Sequence, residues 1–73
     1  MWIRTQDEKM LLDVKCLQII EAKGGWGIVT KEEYEPLAVY STYDKARYML
    51  GLAEDALVRF PQGICYLRKE EEL

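Results

Sequence analysis

Catalysis near neutral pH most often uses histidine, and this 73-residue chain has none. The nucleophile candidates are Cys16, Cys65 and Ser41. Neither cysteine has a histidine to activate its thiol, and Ser41 is better explained as a helix cap. Glu32, Glu33 and Glu35 bring carboxylates close together. They stand in a charged loop, where solvation is expected rather than a paired acid–base site. Two cysteines without histidine are too few for structural zinc. Gly24-Gly25-Trp26-Gly27 is glycine-rich, yet a phosphate-cradling loop needs Lys-Ser/Thr opening a helix. Here Ile28-Val29-Thr30 opens a strand instead. The expectation is a chain with no catalytic, cofactor-binding or metal-binding residues and no evident small-molecule ligand.

Binding is the better class of chemistry. Trp2, Trp26, Tyr34, Tyr40, Tyr43, Tyr48 and Tyr66 are many aromatics for so small a chain. Interfaces favour Tyr and Trp, although aromatics also fill cores and line strand faces. Combined with Lys15, Lys23 and Lys31, they form an alternative: a weak single-stranded nucleic-acid binder in which bases stack on strand aromatics. A net charge of −3 weighs against it, because nucleic-acid affinity rests on clustered cations. No apolar run approaches the length of a membrane span.

One helix must position these residues. Ala46, Leu50, Ala53, Leu57 and Phe60 recur at steps of four and three, a continuous stripe on a helix over about 42–60. Met49 and Ala56 widen it. Ser41 is the expected cap, with Asp44 as an acidic variant of the capping box. Phe60-Pro61 ends the helix, because the residue before proline is pushed out of helical geometry. Tyr48 and Leu52 form an i, i+4 pair off this stripe, with Arg59 nearby and Gly51 mid-helix. Scattered apolar surface residues are ordinary. The sharper expectation is an interaction surface of Tyr48, Gly51, Leu52 and Arg59, where Gly51 lets a partner approach closely.

The remainder reads as strands. Met1–Gln6 and Met10–Val14 form a hairpin, with Leu12 and Val14 on one face and Leu11 and Asp13 on the other. Between Cys16 and Ala22 the alternation changes phase. A bulge or break near Lys15-Cys16 gives either one bent strand or two short ones. Gly24-Gly25 makes a tight turn, after which Gly27–Thr30 pairs back. Trp26 fits either the core or a displayed strand edge. Leu37–Tyr40 leads into the helix, Gly63–Arg68 is the last strand, and Lys69–Leu73 is a charged, frayed tail. The expected fold is one α+β domain over 1–73. It has a curved antiparallel sheet or partial barrel of five to six short strands, with the helix inserted before the last strand.

A core this small often gains stability from a staple. With charge from Arg4 onward, no signal peptide is expected, which implies a cytoplasmic chain with reduced thiols. Cys16 and Cys65 are then expected as small buried hydrophobes. Self-association is the remaining staple, so the expected partner is a second copy, as a homodimer or other homo-oligomer, or another protein.

Trp2-Ile3-Arg4-Thr5-Gln6-Asp7, followed by Leu11-Leu12-Asp13-Val14, and later Tyr40-Ser41-Thr42-Tyr43-Asp44-Lys45-Ala46, carry a resemblance. They resemble small uncharacterised proteins of Gram-positive bacteria and their phages. That group opens on a WIRTQD-like strand and carries a capped YSxxExA-like helix start. Asp44 stands where the pattern has glutamate. The motifs are structural, and no functional residues transfer. The resemblance implies a cytoplasmic bacterial or prophage-derived accessory protein.

Overall fold

A computed structural model describes residues 1–33 and 35–73; Tyr34, one of the aromatics considered for binding, lies outside the described residues. The chain is α+β. Its strands are β1 (Trp2–Arg4), β2 (Leu11–Asp13), β3 (Gln18–Ala22), β4 (Gly25–Val29) and β5 (Ala38–Tyr40). Helix α1 (Tyr43–Arg59) follows, then β6 (Ile64–Tyr66) and a short 3₁₀ turn over Glu70–Glu72. Among the described residues, no helix is long and apolar enough to cross a membrane.

The strands form two three-stranded sheets, ordered β2-β1-β6 and β3-β4-β5. This corrects the single antiparallel sheet or partial barrel in two respects. The sheets do not close into a barrel, because the chain leaves the first sheet after Val14 and begins the second at Gln18. The break expected near Lys15-Cys16 is therefore a change of sheet, and the segment gives two strands. Second, β1 pairs with β6 in parallel, Trp2 opposite Ile64 and Arg4 opposite Tyr66. One side of β1 is already taken by the antiparallel hairpin to β2. The last strand arrives after α1, a connection long enough to bring it alongside in the same direction.

The two sheets meet at Gln6. Its backbone N–H donates to the Leu37 carbonyl at 2.9 Å. Its side-chain amide accepts from the Val39 N–H at 3.0 Å and donates to the Val39 carbonyl at 3.2 Å. The same amide nitrogen also donates to the Arg68 carbonyl at 3.2 Å. Gln6 thus behaves towards β5 as a one-residue strand, satisfying backbone groups that an edge strand leaves open.

Helix α1 closely matches the expected span, but its cap is different. Thr42 is the N-cap, and its hydroxyl accepts from the Lys45 N–H at 3.2 Å. Ser41, the expected cap, is held elsewhere. Its N–H and hydroxyl both donate to the Glu70 carboxylate, at 2.6 and 2.8 Å, while Lys45 Nζ donates to that carboxylate at 3.0 Å. The tail is consequently docked against the helix start rather than frayed. The buried face of α1 is Ala46, Met49 and Ala53. Leu57 and Phe60, counted in the stripe, are exposed. The helix ends at Phe60, whose N–H still donates to the Ala56 carbonyl while its φ of −135° has left the helix.

The core joins both sheets to the helix: Ile3 and Cys65 from the first sheet, Ile28, Ala38 and Tyr40 from the second, and Met49 from α1. Lys23 and Gly24 connect β3 to β4, and Gly24 adopts φ +84°, the left-handed conformation that glycine accepts. Gly25 already belongs to β4. A Cβ on it would overlap the Tyr40 carbonyl oxygen, so the strand needs glycine there for a reason of space.

Candidate interaction surface

Strand alternation sorts the first sheet into two faces. Ile3, Leu12 and Cys65 share the inner face and reach the core. The register then puts Trp2 and Arg4 from β1, Leu11 and Asp13 from β2, and Ile64 and Tyr66 from β6 together on the outer face. There Trp2 is 43%, Leu11 41%, Ile64 42% and Tyr66 58% exposed. Large apolar side chains exposed singly are ordinary, whereas here four lie on one face of a small sheet. This group mixes Trp, Tyr and Arg, the residue types that most often dominate interface energetics.

The surface continues around the free edge of β6. A shallow groove of about 260 Å³ runs there between β6 and α1, lined by Leu52, Ala56, Phe60, Ile64 and Tyr66. At the other end of the sheet, beyond Arg4 and Tyr66, lies a more polar cavity of about 350 Å³. Arg4, Arg68 and Lys69 line it, together with Glu8 and Glu72. Arg4 Nη1 donates to the Glu8 carbonyl at a long 3.4 Å. Its Nε is buried without a hydrogen-bond partner among the described residues.

The wall behind this cavity is rigidly specified. The Tyr40 hydroxyl is buried and donates to the Arg68 carbonyl at 2.5 Å. Burial pushes the Tyr40 pKa up to about 12, since a phenolate there would lose its water. The Arg68 N–H is directed at Met49 Sδ, 3.3 Å away. The β1–β2 turn is held by Thr5, whose hydroxyl donates to the Asp7 carboxylate at 2.7 Å and accepts from the Met10 N–H at 3.1 Å. That hydroxyl, with the Lys9 N–H, holds the Asp7 carboxyl below its ordinary range. The Glu70 carboxyl is lowered further, to about 2, chiefly by the Ser41 N–H and then by Lys45.

The helix candidates are only partly assembled into this surface. Leu52 is half-buried, packs against the core and reaches the β6 groove. Tyr48 is 57% exposed. Gly51 is half-buried, with space where a Cβ would meet only Arg47 Nη1 at 3.6 Å. Arg59 is exposed and forms an i, i+4 ion pair with Asp55 at 3.2 Å. Of the other aromatics, Tyr40 is a core residue, while Trp26 is half-buried and packs edge-on against Tyr43 with ring centroids 5.3 Å apart. Lys15, Lys23 and Lys31 do not line the outer face; they flank or connect the strands of the other sheet. Cys65 is buried as expected, and burial pushes its thiol pKa up. Cys16 is exposed, a correction that follows from its place in the link between sheets, where no strand covers it.

Compared with protein-family models, curated proteins and solved structures, the chain matches none.

Sequence reasoning named Trp2 and Tyr66 only as two aromatics among seven, and passed over Arg4, Leu11 and Ile64. The alternation Ile64, Tyr66, Arg68 against Cys65, Leu67 carried the signal. What it lacked was the parallel partner that places these residues beside Trp2 and Arg4.

Proposed function

We propose that this chain is a non-enzymatic protein–protein interaction module that works through the outer face of β2-β1-β6. The observation that carries the reading is the register, which puts the exposed Trp2, Leu11, Ile64 and Tyr66 on one sheet face around Arg4. The partner is another protein or a second copy of the chain, met in the cytoplasm. The resemblance to small Gram-positive and phage proteins fits an accessory role of this kind.

A photo-crosslinking amino acid placed at Tyr66 tests it in living cells. The expected result is one dominant adduct, to another protein or to the chain itself, that weakens when Trp2→Ala is added. The same probe at Glu21, exposed on β3, gives no such adduct. Equal yields at the two positions, or none at Tyr66, would overturn the reading.

A second reading, single-stranded nucleic-acid binding, draws on one juxtaposition: Tyr66 lies beside Arg4 in the register, with Arg68 on the same wall. Bases would stack on the aromatics and phosphates meet the guanidiniums. Its mark is binding that falls steeply with salt, and nuclease treatment removes it.

A further inference from the structure

The cavity at the end of the outer face has an unusual electrostatic composition for this chain. Arg4, Arg68 and Lys69 converge on it, and none of them forms an ion pair among the described residues. Three cations face two carboxylates, Glu8 and Glu72, so the pocket is locally positive in a chain of net charge −3. One carboxylate is already engaged, since Glu72 Oε1 accepts from the Lys69 N–H at 2.9 Å. Among the described residues the Arg4 guanidinium has a single long contact, from Nη1, and a buried Nε without a partner. An arginine guanidinium offers a planar fork that matches a carboxylate, here through its terminal nitrogens, since the Nε is closed to solvent.

We propose that this pocket is a carboxylate-binding site, taking a Glu or Asp side chain from an extended, otherwise apolar partner segment laid across the outer face. The inference rests on the interaction reading above and names the partner's chemistry. Trp2, Leu11 and Ile64 supply the apolar contact, and Arg4 with Arg68 supplies the charge. A singly charged carboxylate suits the site better than phosphate. Glu8 and Glu72 repel a phosphate's second charge, and the net negative chain repels a polyanion as a whole. The carboxylate form also uses the bidentate geometry of arginine where lysine alone would give only a point charge.

The test is a titration of the isotope-labelled full chain, read at the arginine side-chain N–H signals. The probes are the blocked peptide acetyl-Ile-Glu-Ile-amide, its glutamine counterpart, inorganic phosphate and oligothymidylate. The expected result is that the glutamate peptide shifts the Arg4 and Arg68 signals, with the glutamine peptide at least about tenfold weaker. Arg4→Gln should remove the preference. Arg68→Gln, at an exposed position that leaves the fold unburdened, should reduce it as well. Equal response to the two peptides, or no response, overturns the site. A stronger response to phosphate or oligothymidylate overturns it in favour of phosphate chemistry. The crosslink at Tyr66 separates the two levels: a specific adduct without carboxylate preference leaves the interaction face standing and removes only the pocket's assignment.

Discussion

At the scale of single residues, two side chains connect parts of the molecule distant in sequence. Gln6 ties β5 to the segment after β6, and the amide is needed for both its donor and its acceptor. Gln6→Glu keeps the acceptor for the Val39 N–H and loses the two bonds donated to Val39 and Arg68. The expected cost is about 1–2 kcal/mol in urea unfolding, at the usual net value of a hydrogen bond. An unchanged midpoint would mean that the link contributes nothing. Tyr40 gives a second expectation. Its pKa is raised from 10 to about 12 by burial, so below pH 10 folded and unfolded chains both keep the proton. Between pH 10 and 12 only the unfolded chain releases it, and stability falls as pH rises through that window. Spectrophotometric titration should show Tyr40 ionising above the ordinary tyrosine value, coupled to unfolding. Neither link was legible beforehand. Gln6 reads as the polar end of the first strand, and Tyr40 as any strand aromatic, until the fold brings Arg68 to both.

At the scale of elements, the glycines and the helix separate local from distant causes. Gly25→Ala should cost about 1–3 kcal/mol, the usual range for forcing extra volume into a packed place, because its Cβ would strike fixed backbone at Tyr40. Gly51→Ala should do the reverse and stabilise by up to about 1 kcal/mol, since the site has room and glycine is a poor helix former. Both are read by thermal or chemical denaturation, and the opposite ordering would sink this account of the backbone. Leu52→Asp should cost about 2 kcal/mol or more, because Leu52 packs on the core. Tyr48→Asp, at an exposed position, should leave stability within about 0.5 kcal/mol. The helix itself was readable almost to its ends, because its signals are local: periodicity, a polar start, a proline stop. Its cap was misplaced by one residue, since Ser41 is claimed by Glu70 from the far end of the chain. The strands were readable individually for the same local reason. Their assignment to two sheets was not, because nothing near Lys15 says which neighbours Gln18–Ala22 will meet.

At the scale of the whole molecule, acid should undo the docking of the tail before it undoes the core. The Glu70 carboxyl is held at about 2, below its ordinary 4.5, by the Ser41 N–H and Lys45. Its contribution is complete above pH 4.5 and is lost as pH falls towards 2. A titration followed at the Ser41 amide should therefore show its transition well below the ordinary glutamate range, while signals from Ile28 and Met49 stay unchanged. A transition near pH 4.5 would contradict the contact. The outer face belongs to this scale as well, since no single strand defines it. Half of it was visible as aromatic content, and the rest required knowing that β1 and β6 are neighbours. That neighbourhood also bears on how the chain comes to be folded. The strand beginning at Trp2 cannot acquire its parallel companion until synthesis has passed Tyr66. Until then the edge of β1 that β6 will take is unpaired. Long-range pairings of this kind slow folding, and an unpaired strand edge invites premature aggregation. The last strand to be made therefore closes the first, and conversion to the native state is expected to be a late, single event rather than a gradual one.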